Sequence, residues 1–89
     1  MNRKDLPEIL YNLLKELNGK AKMIDIFKLF WTKYEQELKV SGDLFYTWNY
    51  DIRWATTQLR KIKKMKQAKE QENTHGADIT SRGIWEIIQ

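Results

Sequence analysis

The sequence predicts an α+β fold in which three helices are closed by a C-terminal β-hairpin. Three observations carry that expectation. Three stretches repeat apolar residues at helical period, the last ten residues hold a β-branched and aromatic run, and a long polar stretch precedes that run.

Taken in order, Asp5 is a suitable N-cap, and Pro7 falls early in the first turn, where its missing N–H costs little. Leu6, Ile9, Leu10, Leu13, Leu14 and Leu17 form one apolar face, and Asn18-Gly19 supplies a left-handed stop, so helix 1 is expected at roughly 6–17. Lys20-Ala21-Lys22 is too short for more than a single-bridge strand. Met23, Ile26, Phe27, Phe30, Trp31, Tyr34 and Leu38 then mark a second helix at roughly 23–38. Its aromatic residues are read as core, because a small three-helix core needs bulky side chains to fill it.

Val40-Ser41-Gly42-Asp43 is a turn, and either Thr47 or Asp43 caps helix 3. In that helix Trp48, Ile52, Ala55, Leu59 and Ile62 recur at spacings of four, three, four and three, an apolar stripe to be buried. Tyr50, Arg53, Thr57, Arg60, Lys61 and Lys64 fall on the other side, with Asn49 near them at the N-terminal end. After helix 3, Met65, Gln67 and Lys69 alternate with Lys66, Ala68 and Glu70 in a weakly strand-like pattern. Gln71 to Arg82 is polar, with Gly76 as a breaker, and Gly83 opens the strand IWEIIQ. Trp54, at the edge of the stripe, is expected to pack against this hairpin near Trp85.

The 89 residues suit a single domain, 1–89, with room for one core. With no cysteine there is neither a disulfide framework nor a thiolate metal site, and the single histidine, His75, makes no metal site alone and reads as an exposed loop residue. No cofactor is expected. Nor is enzyme activity: Glu37-Leu38-Lys39 matches half of a metal-dependent nuclease motif, but it ends an amphipathic helix and lacks the strand and further acid such a site needs. The N-terminus lacks a hydrophobic signal core and no stretch approaches membrane-spanning length, so the cytoplasm is the expected compartment.

Charge carries the functional signal. The net charge is +4, yet six of the basic residues, Arg60, Lys61, Lys63, Lys64, Lys66 and Lys69, fall within ten positions that hold no acid. The rest of the chain has ten basic and twelve acidic residues, a net −2. One positive patch at the end of an amphipathic helix points to an anionic partner, nucleic acid before membrane. A membrane-surface helix would need a bulkier apolar face than one narrowed by Ala55.

Helix, short strand, helix, helix and hairpin is the order of a winged helix-turn-helix. In that fold helix 3 enters the major groove of double-stranded DNA and the hairpin wing touches the adjacent backbone. Asn49, Tyr50, Arg53 and Thr57 are then the candidates for base edges: Asn suits adenine, Arg suits guanine, and Thr can set a methyl against thymine. Arg60, Lys61, Lys64, Lys66 and, on the wing, Arg82 are the candidates for phosphates, which fix register without reading sequence. The alternative partner is protein. Winged helices also serve as dimerisation or assembly modules, and exposed Tyr46 and Tyr50 would suit an interface core.

The segments RWATTQLRK at 53–61 and SRGIWEII at 81–88 resemble the N-terminal winged-helix domain of Mrr-type, modification-dependent restriction proteins. The resemblance runs from about Leu6 to Ile88. Its marks are a leucine-rich first helix closed by glycine, the Lys20-Ala21 step, Trp54-Ala55 with Leu59, and Arg82-Gly83-Ile84-Trp85. One departure stands out: Ile62-Lys63-Lys64 replaces the Ala-Gly that usually ends helix 3, so the helix either runs on into the basic stretch or ends differently. The resemblance implies the target-recognition module of a restriction system, joined to or associated with a nuclease domain, or else a stand-alone DNA-binding regulator. It also implies that methylated bases are read, with Trp48, Tyr50 or Trp54 lining a cage for the methyl group.

Overall fold

The computed structural model of the chain describes residues 1–67 and 83–88. These form an α+β arrangement of three helices and a two-stranded antiparallel sheet: α1 (Leu6–Glu16), β1 (Lys20–Lys22), α2 (Met23–Lys39), α3 (Leu44–Lys61) and β2 (Ile84–Glu86). The tip of the expected hairpin, with Ala68, Lys69, Glu70, His75 and Arg82, lies outside the described residues.

A short 3-10 turn, Arg3–Asp5, precedes α1. Asp5 occupies the N-cap position of α1 but does not cap it. Its carboxylate accepts from the backbone N–H of Asn2 at 2.9 Å, while Asn2 Oδ1 accepts from the N–H of Lys4 at 2.9 Å, a reciprocal box that closes the turn instead. In α1, Leu6, Leu10, Leu13 and Leu14 are all buried, and α1 packs against both α2 and α3. The helix ends with Asn18 at φ 65°, where Asn18 N–H bonds Lys15 O and Gly19 N–H bonds Leu14 O. That pair of bonds satisfies the last carbonyls, with asparagine rather than glycine taking the first left-handed position.

Helix α2 buries Ile26, Phe30 and Leu38. Its aromatic residues are core, as their spacing predicts. Trp48 of α3 stacks on Phe30 and Trp31, with ring centroids 5.2 and 5.9 Å apart, and meets Phe27 edge-on at 5.7 Å. Gly42, at φ 64°, turns the chain into α3. That helix begins at Leu44, not near Thr47. Asp43 holds the N-cap position without a side-chain hydrogen bond, and Thr47, inside the helix, turns its hydroxyl to Asp51 Oδ2 at 2.7 Å. The early start buries Leu44 against the core.

The expected core stripe holds for Ile52, Ala55 and Leu59 and fails at Ile62, which is 61% exposed. The reason lies in how α3 stops. Lys63 adopts φ 61°, its N–H bonds Arg60 O, and Lys64 N–H bonds Leu59 O at 2.8 Å. This is the same closure as in α1, built on a lysine where glycine would be unstrained. The helix therefore stops after Lys61 rather than running on through the basic stretch, and Ile62 falls outside the packed face. Lys63→Gly is expected to raise stability by roughly 0.5–1 kcal/mol, read as a higher urea midpoint at unchanged slope.

The short segment Lys20–Lys22 does more than form one bridge. It pairs with β2 over three positions, Lys20↔Glu86, Ala21↔Trp85 and Lys22↔Ile84. The ladder continues at both ends, through Met23 N–H to Gly83 O and Ile87 N–H to Gly19 O. On its other edge β2 meets the chain leaving α3. There the pairing is a single Met65↔Ile87 bridge, flanked by Lys66 N–H to Glu86 O and Ile88 N–H to Lys64 O, each 2.9 Å. The strand after α3 is thus reduced to one bridge among the described residues, and β1 is the main partner of β2. Met65, Trp85 and Ile87 close the core from this side.

Candidate nucleic-acid interface

The outward face of α3 is a continuous polar stripe. Tyr46, Asn49, Tyr50, Arg53, Thr57 and Lys61 are all exposed and follow one another at helical spacing. Asn49, Tyr50 and Arg53 border a shallow depression of about 200 Å3. Across the ridge made by Tyr50 and Arg53, a second depression of about 310 Å3 is lined by Arg3, Tyr50, Arg53, Trp54 and Thr57. The Arg53 guanidinium carbon lies 5.9 Å from the Phe27 ring centroid, so α2 backs its side chain.

Every one of these side chains offers a hydrogen-bond donor. The single acidic residue of α3, Asp51, points elsewhere: it is 8% exposed, accepts from Thr47 Oγ1, and pairs with Arg3 Nε at 3.3 Å. The exposed face of α3 therefore presents donors and positive charge with no carboxylate to oppose an anion.

The basic residues after this stripe divide by environment. Lys61 and Lys64 are exposed, and Lys64 Nζ stands 5.3 Å from the Tyr11 ring centroid, toward α1. Arg60 is half-buried and its Nε donates to Lys66 O at 2.9 Å, which ties the departing chain to α3. Burial pulls the Arg60 pKa below its ordinary value, a shift that leaves a guanidinium charged at neutral pH. Lys66 Nζ sits 3.0 Å from Glu86 Oε2 across the sheet edge. Both residues thus have structural partners that a run of like charges in sequence does not disclose. Arg82 lies outside the described residues.

Comparisons with protein families, curated proteins and solved structures return no match for this chain.

The three aromatic residues considered for a methyl cage have different surroundings. Trp48 is spent in the core stack. Trp54 does not meet Trp85, whose aromatic partner is Phe27 at 6.0 Å. Instead the guanidinium carbon of Arg3 covers the Trp54 ring at 3.9 Å from its centroid. Tyr50, 72% exposed, is the one member of the supposed cage whose ring stands open. Arg3 and Asp51 are the residues that sequence reasoning passed over. Thr47 and Asp51 are four apart on one helix, a spacing that could have flagged their bond, but nothing local announces that Arg3 folds back onto them.

Glu37 and Lys39 end α2 as surface residues, Lys39 pairing with Glu35 at 3.0 Å. Among the described residues no group of three or more acidic, histidine or cysteine side chains could hold a metal ion. No described helix is long and apolar enough to cross a membrane.

Proposed function

We propose that this chain is a winged helix-turn-helix module that binds double-stranded DNA, with the outward face of α3 in the major groove. The observation that carries the reading is that this face offers donors and positive charge with no exposed carboxylate, the one acid of α3 being buried and paired with Arg3. At 18 residues α3 is about 27 Å long, more than twice the groove width of about 12 Å, so only part of it reads bases. Asn49, Tyr50, Arg53 and Thr57 take the base edges. Lys61 and Lys64, near the helix end, take phosphates, and Arg60 and Lys66 add positive field while bracing the chain that leaves α3.

The resemblance to Mrr-type restriction proteins extends the proposal to target recognition beside a fused or associated nuclease. Reading of methylated bases rests on that resemblance alone, since Trp48 and Trp54 are engaged elsewhere and only Tyr50 is open to a base.

Fluorescence anisotropy with unmodified, adenine-methylated and cytosine-methylated duplexes tests all of this together. Each phosphate engaged adds about 0.9 to the slope with which log affinity falls against log salt concentration, so binding weakens as salt rises. Equal binding to the three duplexes removes methyl recognition and keeps the module. Absence of binding at low salt removes the proposal.

One observation favours a second reading, a protein interface. Tyr46, Tyr50 and Ile62 are 79%, 72% and 61% exposed, large apolar groups left in water. A hydrophobic interface would be nearly indifferent to salt, so the same titration, run with a captured partner, separates the two readings.

A further inference from the structure

The depression lined by Arg3, Tyr50, Arg53, Trp54 and Thr57 takes one of its walls, Arg3, from the 3-10 turn before α1, a segment outside the helix-turn-helix elements. Its chemistry is one-sided. Two guanidinium groups, a phenol and a hydroxyl converge there, while the nearest carboxylate, Asp51, is 11% exposed at its side chain and is occupied by Arg3 and Thr47. Counting Arg3, Arg53 and Asp51, the depression keeps one net positive charge.

Arg3 is also held in place. Its Nε edge faces Asp51 Oδ1 at 3.3 Å and its plane lies on Trp54, yet the side chain remains 48% exposed. A guanidinium has five N–H donors, and the ion pair occupies the Nε edge. A fork pre-oriented by stacking and by one carboxylate loses less rotamer freedom when an anion arrives.

We propose that this depression receives a phosphodiester of the DNA backbone gripped by Arg3, with Asp51 and Trp54 as the residues that position Arg3 and with Arg53 adding positive field from the wall that reaches on to the bases. The proposal rests on the duplex-binding reading above. A phosphate fits better than an extruded base. Stacking needs an open aromatic face, and Trp54 has Arg3 across one face while the residue itself packs against the core. A backbone phosphate needs several donors around one charge, which is what the lining supplies. The 3-10 turn thereby extends the contact beyond α3.

The alternative role for Arg3 is purely structural, neutralising Asp51. Three variants separate the two: Arg3→Gln, Asp51→Asn and the double variant, each followed by thermal unfolding and by duplex affinity across a salt series. If Arg3 holds a phosphate, Arg3→Gln weakens binding on the order of fivefold at low salt and makes the slope of log affinity against log salt shallower by about 0.9. The double variant, which restores the net charge and removes the orphaned carboxylate, recovers thermal stability and keeps the shallower slope. Recovery of both stability and the full wild-type slope in the double variant overturns the proposal, because Arg3 then serves only Asp51. An unchanged slope in Arg3→Gln, with wild-type protein binding duplex normally, overturns it as well. If wild-type protein binds no duplex, the underlying DNA reading falls first and this one with it.

Discussion

Phe30→Ala is expected to cost about 3–5 kcal/mol, which for a domain of this size is most of its stability. Phe30 is fully buried, with Trp48 stacked at 5.2 Å on one side and Tyr34 at 5.1 Å on the other. Removing the ring leaves a cavity bounded by two large aromatic side chains, neither of which can collapse into it without abandoning its own contacts. Urea unfolding followed by far-UV circular dichroism measures the loss. Tyr46→Ala is the matched control, since Tyr46 is 79% exposed, and should stay within about 0.5 kcal/mol of wild type. A well-folded Phe30→Ala protein of near-native stability would show that the aromatic cluster is not the structural centre described here.

Arg53→Ala is expected to have the largest effect on DNA affinity, about tenfold or more, or at least about 1.4 kcal/mol, with little change in unfolding. Arg53 is, with Tyr50, shared by both depressions on the face of α3, and the Phe27 ring backs its guanidinium. A bidentate contact to guanine demands the planar fork, not charge alone. Arg53→Lys should therefore keep the salt slope near wild type while losing preference among duplex sequences. If Arg53→Lys retains full sequence preference, Arg53 contacts phosphate rather than bases.

The three helices were legible because each carries a long apolar period, and the core followed from the same residues. What stayed hidden depended on partners distant in sequence. Lys20–Lys22 looks too short for a strand because its ladder is completed by Ile84–Glu86, some sixty residues on. The run from Arg60 to Lys66 reads as one solvated patch, yet Arg60 binds a backbone carbonyl and Lys66 faces Glu86. Ile62 belongs to the apolar stripe by periodicity and leaves it because Lys63 takes a left-handed conformation that its identity does not advertise. The donor stripe of α3 could be read in advance, since it is the complement of the buried stripe. Its extension by Arg3 could not, because a cation beside an N-terminal turn gives no local sign of the helix it will lie against.

The central claim is that the outward face of α3 contacts duplex DNA. Amide chemical-shift mapping of the isotope-labelled protein, titrated with a short duplex at low salt, tests it most directly. The largest shifts are expected at Asn49, Tyr50, Arg53, Thr57 and Lys61, with smaller ones at the 3-10 turn and at Lys64. Saturable shifts confined to the opposite surface, or none on α3, would contradict it.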